Sequence, residues 1–305
     1  MTGRTDSGLH MPVMLGEAVD ALNVRKGGVY VDGTLGRAGH AKEVIRRGGS
    51  VIGIDRDGEA LEAVRGIEGL KAVKGRHGDI DAILRKEGFD EVDGVLLDLG
   101  VSSPQLDEAE RGFSFMAEGP LDMRMDQSGG LTAADVVNGR SEDDLTNIFR
   151  TFGEEPDARR IAKAIICARR NRPVSTTLQL AGIVEKSVGR HGAHHPATRV
   201  FQALRMVVND ELGELARALS GGLGRLKKGG RFVVITFESL SDRAVKRFFS
   251  SHVGRNVSLQ QGGERWEGET PRMRHVLRRA VVPSAAERRM NPRSRSAKLR
   301  AAERA

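Results

Sequence analysis

The chain has 305 residues, enough for about two domains with a core of their own, which excludes a miniprotein held together by staples. Its one cysteine, Cys167, cannot form an internal disulfide, and Arg4 and Asp6 stand where a secretory signal would be apolar, so a reducing, cytoplasmic setting is expected. No apolar run approaches the roughly 20 residues of a spanning helix, which excludes a helical membrane protein and a membrane partner.

Charge is uneven along the chain. Residues 271–305 hold 11 Lys and Arg against Glu287 and Glu303, a local balance of +9, while the whole chain carries +8. Such a tail reads as an electrostatic contact for a polyanion, nucleic acid foremost, or as a solvated basic arm. There are 38 glycines, a share well above the usual ~7%, so glycine-rich loops are worth locating.

Taken in order, residues 29–100 alternate short apolar runs with helical stretches, the pattern of a parallel sheet with crossover helices. Val29–Asp32 is the first strand expected, followed by the loop Gly33-Thr34-Leu35-Gly36-Arg37-Ala38-Gly39 and a helix from near His40. Strands follow at Val51–Asp55, Leu70–Lys74 and Val92–Leu99, with helices at Gly58–Val64 and Ile80–Lys86 between them. From Gly112 to Pro196 strand patterning gives way to helices. Ser141 with Asp144 marks a capping-box start, Asp157–Arg170 stops before Pro173, and Thr177–Val188 ends at Gly189. A long helix is expected from Pro196 to about Leu226, then a fifth strand at Arg231–Phe237, a helix at Ser241–Phe249 and an edge strand at Arg274–Val282. The chain therefore reads as an α/β doubly wound sheet, residues 1–111 and 197–305, interrupted by an all-helical insertion over 112–196.

Chemistry concentrates at the strand ends. The glycine loop lets backbone approach a ligand closely beside a helix N-terminus, although it could also be an ordinary tight turn. Its G-x-x-G-x-x-G spacing matches neither the dinucleotide fingerprint nor a Walker loop, which disfavours NAD and ATP. Asp55, ending the second strand, is placed to accept both ribose hydroxyls of an adenosine moiety, or simply faces solvent. Asp79 could reach an adenine amine or cap the helix at Ile80. Asp98 opens the loop Asp98-Leu99-Gly100-Val101-Ser102-Ser103-Pro104-Gln105 where a doubly wound fold puts its active site. Methyl transfer to a base amine would need an acceptor for the amino hydrogens there; a helix cap or an arginine partner is the alternative role for Asp98. No zinc-ligand spacing and no G-x-S-x-G elbow occur, so no metal and no simple hydrolase are expected.

The segments His10-Met11-Pro12-Val13-Met14-Leu15, Asp32 to His40, Asp55-Arg56-Asp57, Leu97 to Gln105, Glu110 to Phe115, Gly119 to Asp126, His195 to Arg205 and Asn291 to Ser296 resemble the bacterial methyltransferases of the N4 amine of a cytosine in 16S ribosomal RNA, the RsmH or MraW family. The resemblance spans nearly the whole chain. It implies a class I S-adenosylmethionine-dependent methyltransferase fold, Rossmann-like, with S-adenosylmethionine as cofactor and 16S rRNA at the decoding centre of the small ribosomal subunit as substrate. Cofactor contacts implied are Gly36, Ala38, Gly39, His40, Asp55, His77, Asp98 and Gln105. Asp98, Ser102 and Ser103 are expected to carry the chemistry. Phe113, Phe115, Asp122, Arg124 and Asp126 are expected to line the substrate side, or else to pack the insertion.

Four positions depart from the family pattern: Ala38 replaces a glycine, a change that a negative φ would accommodate; His77 replaces an aromatic; Glu238 replaces a histidine; and Ser241 replaces a glutamate, which keeps the local acid count equal. A nicotinamide oxidoreductase and a non-catalytic ribosome-assembly binder are the rival classes, and monomer and homodimer both stay open.

Overall fold

The computed structural model describes residues 12–190, 195–259, 262–267 and 272–305. His10 and Met11 of the segments above lie outside them. The chain divides into two compact units, Met1–Gly100 with Leu212–Ala305, and Val101–Glu211. The second unit is wider than the 112–196 expected for the insertion.

In the first unit β1 (Val29–Asp32), β2 (Ser50–Asp55), β3 (Leu70–Lys74), β4 (Val92–Asp98) and β5 (Leu226–Thr236) form the parallel body of a seven-stranded sheet. Its order is β3-β2-β1-β4-β5-β9-β8, with β9 (Lys298–Arg304) antiparallel to β5, and β8 (Met273–His275) antiparallel to β9. β6 (Arg255–Ser258) and β7 (Glu264–Glu267) make a separate hairpin.

Both faces of the sheet are covered, which is why its strands read as near-continuous apolar runs. Alternation at period two sorts them: Tyr30, Val51, Leu96, Val233 and Ile235 pack with α1 (Leu15–Leu22) and α2 (Gly39–Arg46). Val31, Ile52, Ile54, Val95, Leu97 and Val234 pack on the other face with α4 (Ile80–Lys86), α11 (Glu211–Arg225) and α12 (Ser239–Val253). The short α3 (Gly58–Ala63) follows β2 and is capped by Asp57.

The second unit is helical: α5 (Ser103–Asp107), α6 (Ala133–Gly139), α7 (Glu142–Gly153), α8 (Ala158–Asn171), α9 (Thr177–Val188) and α10 (Ala197–Val208). Capping boxes at Thr132/Asp135, Ser141/Asp144 and Thr176/Gln179 start three of them. Leu145, Phe149, Ile161, Ile165, Leu180, Val200 and Leu204 build its core, which is why α10 belongs to this unit.

The structure corrects three expectations. The long helix after Pro196 is two helices, because Asn209 turns its side chain onto the backbone of Met123 and Met125 and Asp210 adopts φ +49°. The edge strand is shorter than Arg274–Val282, reduced to β8 and an isolated bridge from Val281 to Leu299. The basic tail is no free arm: after α13 (Ala285–Met290) and a 3₁₀ turn it becomes β9, flanked on both sides by strands. Leu299, Ala301 and Ala302 are buried, while Arg300 and Lys298 pair with Asp242 and Glu303 pairs with Arg231 and Arg274. Arg274, Lys298, Arg300 and Arg304 are thus drawn into ion pairs, while Arg272, Arg278, Arg279, Arg288, Arg289, Arg293 and Arg295 stay exposed on the surface.

Candidate active site

The sheet order reverses at β1 and β4, so the loops leaving their carboxyl ends diverge and open a crevice. Three strands end in a carboxylate here, Asp32 on β1, Asp55 on β2 and Asp98 on β4. The glycine loop runs between them. Gly33 donates to the Leu96 carbonyl at 2.9 Å and Leu35 to the Ile54 carbonyl at 3.1 Å, which ties the loop to both neighbouring strands. A Cβ on Gly33 would sit 2.5 Å from Leu97 Cδ2, and Gly36 has φ +48°; both positions require glycine or strain.

Ala38 also lies in the left-handed region, φ +60°, at the N-cap of α2. The negative φ expected of it is not what the structure has. The turn keeps the conformation a glycine would favour, and the alanine methyl is accommodated in the core beside Val13 and Ala41.

Thr34 stitches the acids together. Its N–H donates to Asp32 Oδ1 at 3.1 Å, and its hydroxyl accepts the backbone N–H of Asp98 at 2.6 Å. Asp55 accepts the N–H of Gly36 on one oxygen, 2.8 Å, and that of Asp57 on the other, 2.9 Å. Neither Asp32 nor Thr34 was among the sequence-derived site residues. The available signal was positional, an Asp closing a strand immediately before the glycine loop as Asp55 and Asp98 close theirs.

The electrostatics are unbalanced. Among the described residues no Lys or Arg lies within ion-pair distance of Asp32, Asp55 or Asp98, and Asp98 Oδ1 is buried with no hydrogen-bond partner. Burial pushes Asp98 up to about 7 and Asp32 up to about 6, and raises Asp55 as well. His40 does not neutralise them, because burial holds its imidazole below its ordinary range, neutral. A ligand with positive charge and several N–H and O–H donors fits such a cradle. S-adenosylmethionine has a sulfonium, an ammonium and two ribose hydroxyls, so these residues suit it.

His77 sits in a 3₁₀ turn after β3, its Cβ beside Gly33. The ring is buried, Nε2 has no hydrogen-bond partner, and burial followed by the Arg56 charge lowers it to about 4. Asp79 stands at the N-cap of α4 without a side-chain capping bond.

Ser102, Ser103 and Gln105 belong to the second unit. There the Gln105 amide oxygen accepts the Ser102 N–H at 3.0 Å, a local cap on α5, which Ser103 begins. Phe113 is a core residue at 7% exposure. Phe115 packs between His195, tilted at 4.7 Å between centroids, and Phe201, edge-on at 4.9 Å. Asp122 and Arg124 grip each other through two hydrogen bonds, 2.9 and 2.7 Å, and Asp126 accepts from Ser128. Packing of the loop whose Leu121, Met123 and Met125 are buried thus accounts for Phe113 and for the Asp122–Arg124 pair. No three His, Cys, Asp or Glu side chains converge to hold a metal among the described residues.

A doubly wound sheet ending in a β5-β9-β8 antiparallel edge, with carboxylates closing β1, β2 and β4 and no cation paired to them among the described residues, defines an S-adenosylmethionine-dependent methyltransferase of class I. Residues 7–305 match the MraW methylase family, and the chain belongs to that family. It is 50% identical over 307 residues to the ribosomal RNA small subunit methyltransferase H of Methylobacterium sp. (strain 4-46), covering 97% of this chain and 90% of the relative. It is 50% identical to the protein of the same name from Brucella suis (strain ATCC 23445 / NCTC 10510), covering 96% of this chain and 86% of that one.

Proposed function

We propose that this chain transfers a methyl group from S-adenosylmethionine to the N4 amine of a cytosine in the decoding region of small-subunit ribosomal RNA. The observation that carries the reading is Asp98, a partly buried carboxylate at the switch point with one oxygen unpartnered, in a chain of the MraW family. Bound in the cradle, S-adenosylmethionine supplies an electrophilic methyl carbon.

Asp55 accepts the ribose hydroxyls with lone pairs not used by Gly36 and Asp57. Asp32 and Asp98 would hold the cofactor's positive charge, together with the turn of Gly36, Ala38, Gly39 and His40. Asp98 accepts a hydrogen of the exocyclic amine. This orients the nitrogen lone pair, otherwise delocalised into the ring, along the displacement line. The target base leaves its stack to reach that group, as enzymes acting on base atoms require. Within the first unit His77 is the further candidate for the cofactor, and the second unit holds, as separate candidates, Gln105 for the cofactor and Ser102, Ser103, Phe115 and Asp126 for the base.

No described helix is long and apolar enough to cross a membrane, and the reading places the protein in the cytoplasm with the small subunit. Incubation with methyl-labelled S-adenosylmethionine and small subunits lacking the modification tests it. Label should appear in N4-methylcytidine identified by mass; label on another nucleoside, or none, overturns the assignment.

A further inference from the structure

The helical unit carries a segregated strip of positive charge. α8 reads ARRIAKAIICARRN, five cations and no carboxylate. Ala158, Ile161, Ala162 and Ile165 face the core, which leaves Arg160, Lys163, Cys167 and Arg170 exposed. At 3.6 residues per turn these four fall within about 80° of arc, and Arg160 to Arg170 spans about 15 Å of helix axis.

The N-terminal end of the strip is costly to the helix that bears it. α7 follows the helix dipole, with Glu142, Asp143 and Asp144 in its first turn and Arg150 in its last. α8 places Arg159 and Arg160 in its first turn, where positive charge is disfavoured, and only Arg169 and Arg170 in its last turn suit the dipole. Exposed helices usually offset their cations with acids three or four residues away, as α2 does with Glu43 against Arg46 and Arg47. Here Arg159 reaches only Glu142, at 4.0 Å, and Arg169 donates to the Val137 carbonyl. Among the described residues no carboxylate lies within ion-pair distance of Arg160, Lys163 or Arg170. A solvated face would gain from a glutamate at any of several positions, and none is present.

We infer that the outer face of α8 is a docking strip for the phosphate backbone of RNA, contacted through Arg160, Lys163 and Arg170. A row of unpaired, solvent-facing cations on a rigid element suits evenly spaced phosphates and carries no base-reading aromatic, so it positions the RNA without specifying sequence. The inference rests on the ribosomal RNA reading above and adds where on this chain the backbone is held.

Two measurements test it. The triple variant Arg160→Gln, Lys163→Gln, Arg170→Gln keeps helix-forming residues, and calorimetry with S-adenosylmethionine reports that the other unit stays folded. Binding to small subunits, followed against salt, should lose about 0.7 to 0.9 of slope per contact, roughly 2 to 3 in all, and should weaken on the order of a hundredfold at about 0.1 M salt. Arg160→Lys with Arg170→Lys should keep the parent slope. A triple variant with parental affinity and slope overturns the inference. Failure of the parent to methylate subunits that it binds would instead count against the proposed function.

The chain's single cysteine lies within the strip and is exposed, so it accepts a photoactivatable crosslinker without engineering. Irradiation with small subunits should yield crosslinks to RNA; crosslinks confined to ribosomal proteins would assign the strip to a protein surface and overturn the proposal.

Discussion

His40 Nε2 lies 3.1 Å from the Val13 carbonyl, and its Nδ1 lies 3.9 Å from Asp98 Oδ2. A carbonyl can only accept, so Nε2 carries the proton and the neutral ring turns the lone pair of Nδ1 toward the acid. Asp98 therefore faces an acceptor rather than a cation, and burial pushes it up to about 7. The crevice keeps its acid ready for a positively charged donor instead of neutralising it internally.

Cofactor binding should consequently depend on pH through Asp98. The ionised form attracts a cation, so S-adenosylmethionine affinity should rise between about pH 6 and 8, with proton release on binding. For stability without cofactor the sign is opposite. The folded state holds a proton that the unfolded chain has lost between about pH 4 and 7, so this group's contribution falls as pH rises through that window. Asp98→Asn should flatten both trends and should lower single-turnover methylation far more than RNA affinity. Calorimetry in buffers of different ionisation enthalpy and urea unfolding across pH check this.

Asp55 holds the glycine loop and the turn after β2 through its two oxygens, and the proposed function adds ribose hydroxyls to its partners. Asp55→Ala removes acceptors for the Gly36 and Asp57 N–H groups, so it should weaken S-adenosylmethionine binding at least tenfold and lower stability by about 1 to 3 kcal/mol. Unchanged affinity in a folded variant would count against the ribose assignment.

Replacing His77 by phenylalanine removes a buried nitrogen without a partner, so His77→Phe should raise stability by about 1 kcal/mol. His77 falls to about 4 in the folded state, so the unfolded chain binds the extra proton between about pH 4 and 6.5 and stability is lost as pH falls through that range. The variant should lose that part of the acid sensitivity, which urea midpoints at pH 5 and pH 7 will show.

Deleting Met290–Ala305 should unfold the first unit and abolish cofactor binding, because it takes β9 from between β5 and β8. Milder variants keep the test quantitative. Leu299→Ala, at a fully buried site, should cost about 2 to 5 kcal/mol. Arg300→Gln should cost about 2 kcal/mol, because the buried Asp242 carboxylate loses both Arg300 hydrogen bonds and keeps Lys298 at 3.3 Å. Burial pushes Asp242 up, but the hydrogen bonds and charge of Arg300 hold it below the usual range. The parent thus draws stability from this pair above about pH 4 and loses it on acidification, so the Arg300→Gln penalty should shrink at low pH. Thermal melts at two pH values measure it.

The sequence by itself determined the local elements and two of the strand-end carboxylates. Val29–Asp32, Leu70–Lys74, Ile80–Lys86 and Thr177–Val188 are found where period and capping residues place them, since both signals are written within a few neighbouring positions. Asp55 and Asp98 were legible because a strand end followed by a glycine loop or turn announces itself locally. What only the tertiary structure decided depends on partners far away in the chain. Arg300 looked like a free cation until Asp242, 58 residues earlier, was seen beside it, and the basic tail became a strand because β5 and β8 offered it unpaired backbone on both sides. Asn209 broke a helix that periodicity ran through, by reaching Met123 and Met125. Ala38 took a positive φ that its side chain disfavours, because Leu35 and the start of α2 close the turn around it. Local physics fixes propensity, and these four outcomes were set by hydrogen bonds and burial that only a folded chain can make.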